Sequence, residues 1–119
     1  MGQIGGNGVA CGTISGNEIV TSDLNSIYIT SNAGNLNVEV IENTATDTDG
    51  LFASSTGAGD VCLGLYNNSD DEFTLGDISL ESPEDDIGPV EDQNDGDFTT
   101  FGTIDFVAPD SCACGSTCE

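Results

Sequence analysis

The sequence predicts an all-β fold, a small antiparallel β-sandwich in a single domain, and three observations carry that prediction. Apolar residues alternate with small polar ones in short runs, no stretch sustains a helical period, and clusters of Gly, Asn, Asp and Ser separate the runs. A length of 119 residues suits one domain, and a hydrophobic share of 36% supports a thin core. The chain divides into a Gly-rich N-terminal arm over 1–12, the sandwich over 13–109 with an acidic loop at 81–97, and a Cys-rich tail over 110–119.

The arm opens with MGQIGGNG, too small and polar to form core alone, and suits the addition of a strand to a neighbour's sheet edge. In LNSIYIT, Leu24, Ile27 and Ile29 lie near Tyr28, as in a strand with one buried side. NLNVEVIEN is the clearest strand: Leu36, Val38 and Val40 point one way, Asn37, Glu39 and Ile41 the other. Between these runs SNAGN supplies residues tolerant of positive φ, as a hairpin loop requires. VCLGLYN places Val61, Leu63 and Leu65 on one face, with Cys62 and Tyr66 opposite. NNSDDE reads as a turn, and EFTLGDISLES as a strand carrying Phe73, Leu75, Ile78 and Leu80 with a bulge near Gly76. TTFGTIDFVAP, with Phe101, Ile104, Phe106 and Val107, is the last strand, stopped by Pro109. No internal repeat at a solenoid period is read from the chain.

The stretch 61–82, VCLGLYNNSDDEFTLGDISLES, resembles the strand, turn and strand of immunoglobulin-like sandwich domains, and a jelly-roll-like sandwich meets the same pattern. The Cys, Trp, Cys arrangement of antibody domains is missing, since the chain has no Trp, so antibody-type function does not transfer.

Charge narrows function more sharply than fold. The chain has no Lys, Arg or His and twenty-two Asp and Glu, a formal charge of −22. No side-chain ion pair can form, so every carboxylate must be solvated, hydrogen-bonded or bound to a cation. A chain without Lys or Arg repels phosphate backbones, which excludes nucleic-acid binding. It likewise disfavours anionic membranes and any phosphate-gripping Lys. His general bases, Lys Schiff bases and Arg clamps are all absent, leaving carboxylates, thiols and metals for catalysis. A carboxylate-pair glycosidase would want aromatic platforms, and this chain has no Trp and two Tyr. No apolar run reaches membrane-span length, and the start shows neither a basic nor an apolar leader region.

The acids are uneven: residues 1–46 hold only Glu18, Asp23, Glu39 and Glu42, whereas residues 70–97 hold twelve. Calcium is the natural counter-ion for such a surface, since hard cations take several oxygen ligands. Asp47 and Asp49 in TDTDGLF resemble the middle of an EF-hand loop whose first and last positions fail, and Asp92, Asn94, Asp95 and Asp97 form a second incomplete cluster. An Asp- and Gly-rich turn is the simpler account of both. Five cysteines, Cys11, Cys62, Cys112, Cys114 and Cys118, are candidates for disulfides or for a soft-metal clasp, and their odd number cannot pair fully within one chain. Without a nearby cation none is expected to be a reactive thiolate.

These features converge on a non-enzymatic structural subunit of an exposed assembly, at a virion surface or in an extracellular filament, whose partners are copies of itself and other subunits. The alternative is a calcium- or metal-binding module whose fold is completed by cations.

Overall fold

A computed structural model of the chain describes residues 3–4, 9–20, 24–31, 34–56 and 59–112. Among these residues twelve strands and one short helix follow one another: β1 Gln3–Ile4, β2 Val9–Ser15, β3 Glu18–Val20, β4 Ile27–Ser31, β5 Asn35–Ile41, β6 Thr44–Thr46, β7 Leu51–Ser55, β8 Asp60–Tyr66, β9 Ser69–Leu75, β10 Ile78–Glu81, α1 Gly88–Gln93, β11 Asp95–Thr100 and β12 Ile104–Val107. Every described strand pairing is parallel. One sheet runs β12-β10-β8-β5-β2; the other runs β1-β4-β7-β9-β6-β3, with β11 also on β9.

The all-β class holds, but the chain winds as a parallel β-solenoid, which overturns the antiparallel sandwich of immunoglobulin-like or jelly-roll-like kind. Alternation of apolar and polar residues is common to both strand arrangements, because it reports only that one face is buried. What differs is the connection. At 31–35, where a hairpin was expected, β4 of one sheet hands the chain to β5 of the other. In NNSDDE only Asn67 and Asn68 make a corner, and Ser69 already begins β9. Gly76 is no bulge within one strand: with Asp77 it forms the corner between β9 and β10.

Each coil sets its inward residues on those of the coil before. Ile27, Leu51 and Phe73 stack in register, and Phe98 continues the column, its ring 4.6 Å from that of Phe73. Val38, Leu63, Leu80 and Phe106 form a second column on the other sheet. Phe73, Leu63, Leu80 and Val38 are fully enclosed, and burying each such side chain stabilises the fold by ~1.5–3 kcal/mol. Two glycines permit the close spacing. A Cβ on Gly50, at φ +88, would lie 2.2 Å from the carbonyl oxygen of Glu72, and one on Gly96, at φ +147, 2.2 Å from that of Asp70.

The acidic segment contains structure of its own. After β10, residues 82–87 lead into α1, where Pro89 suits the first helical turn and Val90 is buried. The helix lies beside the end of β8, where β10 no longer pairs.

Candidate functional site

The corner between the two sheets is built by four asparagines, Asn17, Asn43, Asn68 and Asn94, at separations of 26, 25 and 26 residues. That spacing is a solenoid repeat, contrary to the expectation of none. In the first three coils the preceding residue takes positive φ: Gly16 at 65, Glu42 at 57 and Asn67 at 58. This left-handed step turns the chain from one sheet to the next. The Oδ1 atoms of Asn43, Asn68 and Asn94 then each accept two bonds from the asparagine one coil earlier. The backbone N–H and Nδ2 of Asn17 donate to Asn43 at 3.0 and 2.9 Å. Those of Asn43 donate to Asn68 at 3.0 and 3.0 Å, and those of Asn68 to Asn94 at 2.9 and 3.0 Å. Remaining amide hydrogens reach backbone carbonyls at the end of the neighbouring strand, as Asn68 Nδ2 does for Val40 at 2.8 Å.

This ladder has a direction, and its ends differ. At the C-terminal end Asn94 donates its backbone N–H to the Glu91 carbonyl and its Nδ2 to the Val90 carbonyl, both within or beside α1. A helical turn replaces the next asparagine, and the ladder is closed. At the N-terminal end Asn17 is exposed, and among the described residues none donates to its Oδ1. Beside it a depression of about 250 Å³ is lined by Ile14, Asn17, Glu18, Ile19, Ser26 and Ile27, where the interior of the first coil reaches the surface. The strands β2 and β3 each end their sheet's order here.

A second constellation lies on the outer face of the sheet containing β8. Glu81 is buried at 2% exposure, although it is a carboxylate in a chain with no basic side chain. Both oxygens are matched: Tyr66 donates its hydroxyl to Oε1, and the backbone N–H of Cys112 donates to Oε2 at 2.6 Å. Gly64 leaves room, since a Cβ there would meet Oε1 at 2.9 Å. A disulfide from Cys62 on β8 holds Cys112 beside this carboxylate. Burial first, and then the hydrogen bond to Glu81, pushes the Tyr66 hydroxyl above its ordinary range. The Glu39 carboxyl is raised as well, by burial and then by the charges of Glu81 and Asp110. The arrangement fixes Cys112 to the coil.

The acidic candidates are spread over this frame. Asp47, at φ 55, and Asp49 are exposed in the corner between β6 and β7, where Asp49 donates its N–H to the Leu24 carbonyl. Asp92 is exposed on α1, and Asp95 and Asp97 are exposed on β11. Asn94 is a ladder residue whose Oδ1 takes both bonds from Asn68. Among the described residues no three Asp, Glu or Cys side chains converge in a metal-holding group. Cys62 and Cys112 form the disulfide, Cys11 is disulfide-bonded too, and Cys114 and Cys118 lie outside the described residues, as do Met1, Gly2 and residues 5–8 of the arm. Among the described residues no helix is long and apolar enough to cross a membrane.

Sequence reasoning missed both the asparagine ladder and the buried Glu81. The ladder's signal was the recurrence of Asn at nearly constant spacing; Glu81 gave none, since its burial depends on Tyr66 and a tail segment far along the chain. Comparison with protein-family models, with curated proteins and with solved structures finds no match to this chain.

Proposed function

We propose that this chain is a non-enzymatic structural subunit of an exposed assembly, at the surface of a virion or outside a cell, and that it associates with copies of itself through strand edges. The observation that carries the reading is the N-terminal end of the coil, where β2 and β3 stand last in their sheets among the described residues, beside an apolar depression. A strand that ends a sheet is a template for another strand. Two further features support an exterior setting. A disulfide across the outer face suits an oxidising environment, and a chain with no Lys or Arg offers no cleavage site to trypsin-like proteases.

The test is the mass of the full chain in solution, by light scattering over a range of concentrations, with and without calcium, chelator and reductant. Self-association in the oxidised protein is the expected result. A single-chain mass at every concentration and in every condition would overturn the proposal.

A further inference from the structure

We propose that the outer face of the sheet formed by β4, β7, β9 and β11 docks an arginine-bearing segment of another protein, its guanidinium lying against a row of aromatic rings and reaching an acidic pocket beside it. The rings come first. The chain has five Phe and two Tyr, and three of these, Tyr28, Phe52 and Phe101, stand together on the outside of the coil. Tyr28 stacks on Phe52 at 5.0 Å between ring centres, and Phe52 on Phe101 at 5.6 Å. Phe101 follows β11, which pairs with β9, so its ring reaches back across β9 to meet Phe52 on β7. Gly76 makes that crossing possible, because a Cβ there would lie 2.5 Å from the Phe101 ring. The row nevertheless stays open to solvent, with Tyr28 48% and Phe101 55% exposed. Aromatic side chains gathered on a surface in this way mark an interaction site.

Charge decides what this face accepts. Where the chain passes from this sheet to the other, a pocket of about 110 Å³ is lined by Asp60, Asp77 and Asp105, with Ser55, Ser79 and Thr103 between them. It adjoins the row of rings: Gly76, under the Phe101 ring, directly precedes Asp77, and Thr103 donates its backbone N–H to Asp77 Oδ1 at 2.8 Å. No Lys, Arg or His occurs anywhere in the chain, so no side chain of its own or of a second copy can neutralise these carboxylates. A partner of opposite charge can. Among the described residues the three acids do not converge in a metal-holding group, and the pocket is small beside the ~300 Å³ or more of a small-molecule site. Its size suits the end of one side chain. Arginine meets both requirements, since its planar cation packs on aromatic rings and its five N–H donors reach carboxylates that stand apart. A lysine ammonium, a compact point charge, uses neither so fully.

The experiment follows backbone amide shifts by NMR as the full oxidised chain is titrated with the peptide acetyl-Gly-Arg-Gly-Arg-Gly-amide at about 0.15 M salt. The same peptide with uncharged citrulline in place of arginine is the reference. The arginine peptide should move amides at 52–55, 74–79 and 100–105 to saturation and bind about tenfold or more tightly than the citrulline peptide. Phe101→Leu, which keeps an apolar side chain over Gly76, should weaken it about threefold. Asp60→Asn with Asp105→Asn, at exposed positions that leave the core intact, should weaken it about tenfold. Glu91→Gln with Asp92→Asn, an equal loss of charge on α1, should change it less than about twofold. Equal effects of the two double variants, or none from Phe101→Leu, would reduce the binding to general attraction by the net charge and overturn the proposal. Equal binding of the citrulline peptide would assign the face to a neutral partner, and shifts there with protein concentration alone would assign it to a second copy; either overturns it, as does the absence of saturable shifts. None of these results bears on the mass that tests self-association.

Discussion

Replacing Asn68 by alanine removes the centre of the ladder, and its cost can be worked from the bonds. Asn68 Oδ1 accepts from the backbone N–H and Nδ2 of Asn43, each at 3.0 Å, while its Nδ2 donates to Val40 at 2.8 Å and to Asn94 Oδ1 at 3.0 Å. Some of these groups have other partners: Asn43 Nδ2 also reaches Ile14 and Ile41, and Asn94 Oδ1 keeps the backbone N–H of residue 68. One backbone group does not, the N–H of Asn43, whose bond to Asn68 is the one described. Asn68 is only 4% exposed, so water does not replace it without opening the corner. At the cost of one stranded group, Asn68→Ala should lose ~1–3 kcal/mol. Asn17→Ala, at the exposed end where water reaches the same bonds, should cost ~0.5–1.5 kcal/mol. Urea unfolding measures both as shifts of the midpoint at constant slope. If Asn68→Ala shifts the midpoint no further than Asn17→Ala, the ladder does not hold the corner and the argument fails.

Four other outcomes are expected. Cys62→Ser opens a disulfide spanning 50 residues and should lower stability by ~2–4 kcal/mol in the same urea assay. Tyr66→Phe leaves one oxygen of the buried Glu81 unmatched, at a cost of ~1–3 kcal/mol; because the Tyr66 hydroxyl is raised in the fold, the parent should also lose stability as pH climbs beyond about 10, a loss the Phe variant lacks in thermal melts. Glu39→Gln should raise the melting temperature at neutral pH by the equivalent of ~0.2–1 kcal/mol, since the folded state disfavours the ionised form; the gain should vanish as pH falls below the ordinary value of 4.5, where the parent carboxyl is protonated in both states. Gly50→Ala meets both a positive φ and the Glu72 carbonyl, so destabilisation beyond the ~1–3 kcal/mol of backbone strain alone is expected, and a neutral result in calorimetry would contradict the close packing.

Much of the local structure was legible. Leu36, Val38 and Val40, and likewise Val61, Leu63 and Leu65, point inward as their alternation requires. Direction was not legible, because a strand's alternation carries no record of which way its neighbour runs. The repeat was blurred by unequal corners: β9 and β10 are joined by two residues, whereas residues 82–87 and α1 stand between β10 and β11. Asn94 shows why the candidate site was equally hard to read. A side-chain oxygen in an acidic turn serves a cation or a backbone ladder equally well, and only its distance from Asn68, Asn43 and Asn17 distinguishes the two. The cysteines were legible as a set, but pairing Cys62 with Cys112 required knowing that Cys112 lies against β8.

The ladder has a consequence for how such a chain can change length. Because each asparagine contacts only the one before and the one after, a copied segment of 25 or 26 residues, cut in at a corner, meets neighbours that already accept it. Insertion of a duplicate of residues 35–59 should therefore lengthen the coil by one storey without disturbing the helix-closed end. Stability in a fold of this kind accumulates storey by storey, so gene duplication can extend it gradually, where an antiparallel sandwich would need compensating strands on both layers at once.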